Sequence, residues 1–194
     1  RPAYAMADAL LVLNAGSSSL KFSLFAADTL DLRLHGQFEF AEATAHFSAS
    51  DSRETTLEDR RWDAPLEHAA ALEFLLDFLP GAAAYDRLAA VGHRVVHGGR
   101  DFPAPVRVDA AVLSALDALV PLAPLHQPHN LAAIRALAAL DASLPQVACF
   151  DTSFHRHQPA VAQAFALPPA ITSLGVLRYG FHGLSYEYIA GRLP

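Results

Sequence analysis

The chain comprises 194 residues with a formal net charge of −6 at pH 7, and 53% of its residues are apolar. This length is enough for one hydrophobic core and the start of a second, and the acidic balance argues against a general nucleic-acid-binding surface, which is normally basic. No segment offers the roughly 18 uncharged apolar residues that a membrane span requires, and the single cysteine excludes an internal disulfide. We therefore expect a cytoplasmic protein whose partners are small molecules.

The first conspicuous feature is a glycine- and serine-rich turn between two predicted strands. Leu10–Leu13 is a continuous apolar run typical of a buried strand, and the segment 20–24 alternates between apolar and polar residues. The GxxxxGK[ST] and GxGxxG patterns, which both open a helix, are absent. Gly16 allows close backbone approach, and three serine hydroxyls with the Lys21 ammonium supply donors. The segment predicts an anion-binding turn, with an ordinary serine-rich hairpin as the alternative.

The rest of the chain predicts alternating helices and strands. In chain order we expect a strand over Leu30–Phe40, a charged surface hairpin or loop over Asp51–Asp63, and a helix over Pro65–Leu79 that Pro80 and Gly81 stop. A strand over Leu88–Val96 follows, and then a helix over Asp109–Val120 with Asp109 as N-cap. The last predicted elements are a loop over Pro121–Asn130, a helix from Leu131 to Leu140 and a strand over Gln146–Phe150. This βββαβαβ order is typical of an α/β domain whose mixed sheet is covered by helices on both faces, and it resembles a ribonuclease H-like domain. We place that domain at residues 8–151 and expect residues 152–194 to be the incomplete start of a second, similar domain.

Three polar side chains are predicted at strand ends or in accessible loops, where ligands gather in α/β sheets. Arg94 lies in an apolar strand, where a guanidinium is costly unless it meets a carboxylate or a phosphate, so both an ion pair and a ligand contact are open. Asp151 follows a buried strand and suits either magnesium with its waters or a turn cap. His182 precedes a glycine and is either an accessible ligand group or a structural donor.

The ten histidines also raise the hypothesis of a metal hydrolase, which the spacing disfavours. His93 and His97 stand four apart in a predicted strand, about 13 Å at roughly 3.3 Å per residue, too far to share one zinc ion. No HExxH motif occurs. Cys149 lies in an apolar run and is most simply a small buried hydrophobic residue.

Five sequence blocks together resemble the acetate kinase family, which includes propionate kinases and belongs with sugar kinases, Hsp70-type ATPases and actin. The blocks are LVLNAGSSSLKFSLF, VGHRVVHGG, PLAPLH with a following Asn130, FDTSFH and RYGFHG, and the resemblance extends from Leu11 to about Ala190. It implies reversible in-line phosphoryl transfer between ATP and a short carboxylate, acetate or propionate, giving ADP and an acyl phosphate with Mg²⁺. It also implies a homodimer of the whole enzyme.

The resemblance further implies roles for individual residues. The phosphate-contacting turn would comprise Asn14, Ser17, Ser19 and Lys21. The catalytic group would comprise Arg94 on the carboxylate or the transferred phosphoryl group, His182 and His126 on the phosphoryl oxygens, and Asp151, which with Asn14 would position Mg²⁺. The pocket for the alkyl end of the substrate would comprise Val96, Leu125 and Phe181.

The sequence departs from the family pattern beside two of these residues. Gly183-Leu184-Ser185-Tyr186 replaces the usual GTSH, and Gln127 stands where asparagine is usual. The adenosine-binding segment, a second arginine and a late magnesium-binding glutamate are expected in a carboxy-terminal part outside this sequence, so residues 1–194 alone are expected to be inactive. A non-catalytic nucleotide- or phosphate-binding module of the same fold remains the alternative.

Overall fold

A single mixed sheet of eight strands organises the computed structural model, which describes residues 8–83, 85 and 87–194. The strands are β1 (Ala9–Ala15), β2 (Ser19–Ala26), β3 (Leu32–Phe40), β4 (Ala45–Asp51), β5 (Thr56–Trp62), β6 (Leu88–Val95), β7 (Val106–Arg107) and β8 (Gln146–Phe150). Their order across the sheet is β5-β4-β3-β2-β1-β6-β8-β7. Residues 1–7, which the prediction left out of the fold, lie outside the described residues.

The strand directions bring three strand ends together. Strands β1 to β5 are antiparallel in succession, whereas β6 is parallel to β1 and β8 is parallel to β6. The carboxyl ends of β1, β6 and β8 therefore meet at one edge of the sheet, the usual ligand edge of an α/β protein. The predicted α/β class, with an antiparallel start and a mixed sheet, is confirmed.

Six α-helices accompany the sheet in the part of the chain that the structure describes. They are α1 (His68–Ala82), α2 (Ala110–Asp117), α3 (Gln127–Leu140), α4 (Ala160–Gln163), α5 (Pro169–Thr172) and α6 (Gly183–Ala190). The predicted N-cap of α2 is confirmed, because Asp109 Oδ1 accepts a hydrogen bond of 2.8 Å from the Val112 amide.

The main core lies between one face of the sheet and the helices α1 and α3. Alternate residues of the strands, such as Leu11 and Phe38, point into it and meet Leu72 and Leu75 of α1. Each large apolar side chain buried in this way contributes roughly 1.5–3 kcal/mol. A second cluster, which includes Leu116 of α2, covers the same face beside β8. The core thus fixes the helices over the inner face of the sheet.

The opposite face of the sheet is less covered than the predicted two-sided arrangement. Val12 of β1 is 43% exposed there. Among the described helices, α6 approaches this face at β8, where burial and the nearby Glu187 carboxylate raise the pKa of the half-buried Cys149 thiol. None of the described helices is both long enough and apolar enough to cross a membrane.

Two further strands follow the three that were predicted. The segment predicted as a surface hairpin or loop contains β5, and β4 pairs with both β3 and β5. The inward positions of β4 are Ala45, Phe47 and Ala49, all buried. Two of these three residues are small, which weakens the apolar alternation by which a strand is recognised in the sequence.

Several helix boundaries differ from prediction: α2 ends at Asp117, three residues before the predicted Val120, and two further differences involve proline. Helix α1 begins at His68 and continues past Pro80 to Ala82, although this proline removes one helical hydrogen bond. Helix α3 begins at Gln127, four residues before the predicted start, with Pro128 in its first turn, where a missing N–H leaves no helical partner unsatisfied. This early start makes Gln127 and Asn130 helical residues.

Candidate functional site

An arginine–aspartate pair joins the ends of β6 and β8. Arg94 Nε donates to both carboxylate oxygens of Asp151 at 3.1 Å, and Nη2 donates to Oδ2 at 2.5 Å. Arg94 Nη1 also donates to Asn14 Oδ1 of β1 at 3.1 Å. These contacts use three of the five N–H donors of a guanidinium. The Asp151 side chain is 1% exposed and that of Arg94 is 33% exposed, so the aspartate lies behind the arginine.

A cavity of about 460 Å³ opens beside Arg94. It is lined by Ala15, Gly16, Arg94, Val96, Leu122, Ala123, His126, Asn130, Phe181 and His182. Five of the predicted residues therefore share one cleft: Arg94, Val96, His126, Phe181 and His182. Its wall combines cationic or polar groups with apolar side chains, as expected for a small amphiphilic anion.

Other predicted residues lie outside that lining. Leu125 is 75% exposed, and Leu122 and Ala123 line the cavity in its neighbourhood. Lys21 lines a larger, more open depression on the outer face of β2, β3 and β4. The strand ends meet at the smaller cavity, so we place the candidate site there. Ser17 is exposed and Ser19 half-buried at the turn between β1 and β2.

The backbone of this turn is closed by one of its own hydrogen bonds and anchored by helix α3. The Gly16 amide donates to the Ser19 carbonyl at 2.8 Å and closes the turn. Asn130 Nδ2 of α3 donates to the Ala15 carbonyl at 2.6 Å, while Asn130 Oδ1 accepts from the Val96 amide at 2.9 Å. The buried Asn130 amide thus connects the end of β1 to the end of β6, a function that its position in the sequence does not indicate.

The loop after β6 is held by the residue that departs from the family pattern. Gln127 is fully buried, its Oε1 accepts from the His97 amide at 3.2 Å, and its Nε2 donates to the His97 carbonyl at 3.1 Å. The Gly98 amide donates to Thr152 Oγ1 at 3.0 Å. Burial lowers the pKa of His97, whose ring packs edge-on against Phe181. Gln127 therefore stabilises the backbone beside the cavity.

His182 enters the cavity from the start of α6. Its backbone is left-handed, with φ 57° and ψ 24°, and the following Gly183 amide donates to the Asp151 carbonyl at 2.8 Å. A Cβ atom on Gly183 would lie only 2.2 Å from that carbonyl oxygen, so the close approach requires glycine. His155 Nε2, 2.9 Å from the Phe181 carbonyl, donates to it and fixes the same loop. These contacts hold the His182 loop to the end of β8.

The remaining buried histidine of β6 faces the core. His93 Nε2 donates to Gln146 Oε1 at 2.8 Å, and burial lowers its pKa to about 4, although this hydrogen bond acts in the opposite direction. Within the described residues, no group of three or more His, Cys, Asp or Glu side chains is arranged to hold a metal ion. The burial of His93 is explained by its packing in the core and by its hydrogen bond to Gln146.

The fold and this cavity define an α/β protein with a cleft, lined by an arginine and two histidines, at the ends of three parallel strands. The family model of the Acetokinase family matches residues 9–194. The chain belongs to the acetokinase family.

Individual relatives agree with this assignment. The chain is 52% identical to an acetate kinase of Rhodopseudomonas palustris over 97% of its own length and 48% of the relative, and 46% identical to one of Deinococcus radiodurans over 94% and 46%. Among solved structures, it matches Porphyromonas gingivalis acetate kinase with a TM-score of 0.84 and 35% identity, covering 96% of this chain and 48% of that one. A propionate kinase from Francisella tularensis matches with a TM-score of 0.81 and 34% identity, over 95% and 48%. The chain spans about half the length of the relatives it matches.

Proposed function

We propose that the protein containing this chain is an acetate kinase that transfers a phosphoryl group between ATP and a short-chain carboxylate, acetate or propionate, reversibly and in line. The observation that carries the proposal is the position of Arg94. It lines the cavity with two N–H donors beyond those used on Asp151 and Asn14, and Val96 and Phe181 form an apolar wall nearby. Such a pocket suits a carboxylate or phosphoryl oxygen with a short alkyl group.

In this proposal, the side chains act by positioning and by charge neutralisation, which supply most of the rate in phosphoryl transfer. Arg94 binds the carboxylate or the phosphoryl group in transfer, and His126 and His182 donate to phosphoryl oxygens across the cavity. Asp151 holds the Arg94 guanidinium from behind. Asn14, Ser17 and Ser19 contribute donors for phosphate at the end of β1, and Lys21, which pairs with Asn14 from β2, adds its ammonium group from the outer face of the sheet.

Two of the proposed site residues carry oxygen atoms that suit Mg²⁺, but these atoms already accept hydrogen bonds from Arg94. Asn14 and Asp151 offer hard oxygen atoms, and Mg²⁺ in kinases is held by one or two carboxylates together with phosphate oxygens and waters. Both Asp151 oxygens accept from Arg94, so Asp151 and Asn14 would hold the ion through remaining lone pairs or through its waters. When bound, the ion would neutralise phosphate charge.

Substrate preference would follow from the apolar wall. One methylene group in such a pocket is worth about 1–3 kcal/mol, so we expect a preference between acetate and propionate rather than strict exclusion. From the family membership we also propose a cytoplasmic homodimer that takes ATP, ADP and acyl phosphate as substrates.

The test is acyl phosphate formation, trapped as a hydroxamate, from ATP, Mg²⁺ and acetate or propionate. We expect activity from the full-length gene product and none from residues 1–194 alone. Inversion of configuration at a chiral phosphorus is expected for a single in-line transfer. Binding of ATP or acetyl phosphate without turnover by the full-length protein would instead favour the non-catalytic module.

A further inference from the structure

The serine turn has a second side-chain anchor whose function the proposed mechanism does not include. His68, the first residue of α1, has its Nε2 2.8 Å from the Gly16 carbonyl oxygen and donates a hydrogen bond to it. The two residues are 52 positions apart in sequence. The Gly16 carbonyl is therefore fixed by a helix that packs in the main core.

This contact also fixes the neighbouring amide. In a trans peptide the C=O and the following N–H point in opposite directions, so a carbonyl held towards α1 directs the Ser17 N–H away from that helix. Within the described part of the chain, neither the Ser17 nor the Ser18 amide donates a hydrogen bond to another group. Successive amides of a turn that are left without partners form a typical anion-binding concavity.

The His68 ring is itself held in place. It packs against Phe40 with ring centroids 4.3 Å apart and lies 6.0 Å from the ring of His129. A part-buried imidazole packed in this way loses less conformational freedom on bonding than an exposed side chain would. The geometry therefore combines a rigid donor with a specific backbone acceptor.

We propose that His68 is a positioning residue for phosphoryl transfer, which holds the Gly16 carbonyl and thereby presents the Ser17 amide to a phosphate oxygen. The proposal rests on the proposed kinase function. His68 is not among the residues that line the cavity, and its hydrogen bond to the Gly16 carbonyl connects it to that lining through the turn. Misplacement of a reacting group by about 1 Å can cost on the order of 10²-fold in rate, so an anchor at this distance from the chemistry matters.

The test compares three variants of the full-length protein. His68→Phe keeps the ring against Phe40 and removes the donor, whereas His68→Gln supplies an amide donor at a similar reach. His129→Phe is the matched control, because it alters the neighbouring ring without a bond to the turn. The measurements are kcat and KM for acetate, and hydrogen exchange at the Gly16 amide, whose bond to the Ser19 carbonyl closes the turn.

We expect His68→Phe to lower kcat about tenfold or more while the KM for acetate stays nearly unchanged, as for an interaction that matters in the transition state. His68→Gln should recover much of the rate, and His129→Phe should behave like the wild type. A kcat of His68→Phe equal to that of His129→Phe would overturn the proposal and leave the kinase function intact. If the wild type formed no acyl phosphate, the kinase function would fail instead, and the exchange measurement would test the anchor. Faster exchange of the Gly16 amide in His68→Phe than in His129→Phe supports the anchor, and equal exchange overturns it.

Discussion

The Arg94 guanidinium covers both carboxylate oxygens of Asp151, and the two side chains differ sharply in their contact with solvent. Asp151 is 1% exposed, whereas Arg94 is 33% exposed and lines the cavity. Removing Arg94 therefore has different consequences from removing Asp151. A carboxylate left alone in the interior is far more costly than a guanidinium left alone at the surface of a cleft.

We expect Arg94→Ala to lower both stability and activity. The unpaired Asp151 carboxylate should reduce the free energy of unfolding by about 3–5 kcal/mol, and the lost charge stabilisation should lower kcat by at least about 10²-fold. Urea unfolding and steady-state kinetics of the full-length protein measure the two effects.

The double variant Arg94→Ala with Asp151→Asn separates these effects. It should recover part of the stability, because no charge is then buried without a partner, but none of the activity. Near-normal kcat in a folded Arg94→Ala protein would remove Arg94 from the mechanism.

The Asn130 bridge makes a second prediction. Asn130→Leu leaves the Ala15 carbonyl and the Val96 amide without partners, and each such buried group costs about 1–3 kcal/mol. We expect a lower midpoint of urea unfolding and faster amide exchange at the ends of β1 and β6. Asn130→Asp keeps the acceptor for Val96 and should protect that amide better than Asn130→Leu. Unchanged exchange at both strand ends in Asn130→Leu would contradict the bridge.

Substitution of Gly183 should disturb the His182 loop without unfolding the sheet. The added Cβ of Gly183→Ala would lie 2.2 Å from the Asp151 carbonyl oxygen, a backbone atom that cannot rotate away. We expect His182 to shift and kcat to fall. Gly191→Ala, in the same region, is the control, since its Cβ would lie no closer than 3.4 Å to a neighbouring atom and its φ is −72°. Equal rates in the two variants would contradict this account.

The buried His93 predicts a pH dependence of stability. Its pKa falls from 6.5 to about 4 in the folded chain. Between these values the unfolded chain binds a proton that the folded chain does not, so stability is full above pH 6.5 and decreases as the pH falls towards 4. At about 1.4 kcal/mol per pH unit, this contribution is about 3 kcal/mol.

Unfolding free energies of the wild type and of His93→Gln, measured between pH 7 and pH 4, test this effect. Glutamine can still donate to Gln146 but does not titrate, so the variant should show a shallower decrease with falling pH. Parallel curves for the two proteins would show that His93 does not cause the dependence.

Local patterns in the sequence were sufficient for much of the fold. The apolar run at Leu10–Leu13, the alternation that follows it and the Asp109 cap each act over a few residues, and each element formed as predicted. Strand β4 was not predicted, because its inward alanines resemble surface residues. The early start of α3 was hidden by Pro128, which is as typical of a loop as of a first helical turn.

The candidate site was less predictable because its contacts are long-range. Its charged and histidine residues were recognisable by type and by family resemblance, and the structure places Arg94, His126 and His182 in the lining of one cavity. The contacts of Asn130 and His68 with the turn have no local signature, since each depends on where a distant helix packs. Leu122 lines the cavity and Leu125 does not, because the chain between α2 and α3 forms a tight helical turn over Val120–Leu122.

The anchoring of the serine turn has a consequence for the order in which the protein folds during its synthesis. The hairpin of β1 and β2 pairs residues close in sequence and can form as soon as it leaves the ribosome, whereas the Ala15–Asn130 contact spans 115 positions. The turn can therefore pair as a hairpin early in synthesis, but it acquires its fixed geometry only after α3 has been made and has docked. A nascent chain that stops before residue 130 would carry the complete serine motif and still lack one of the two side-chain contacts that anchor it.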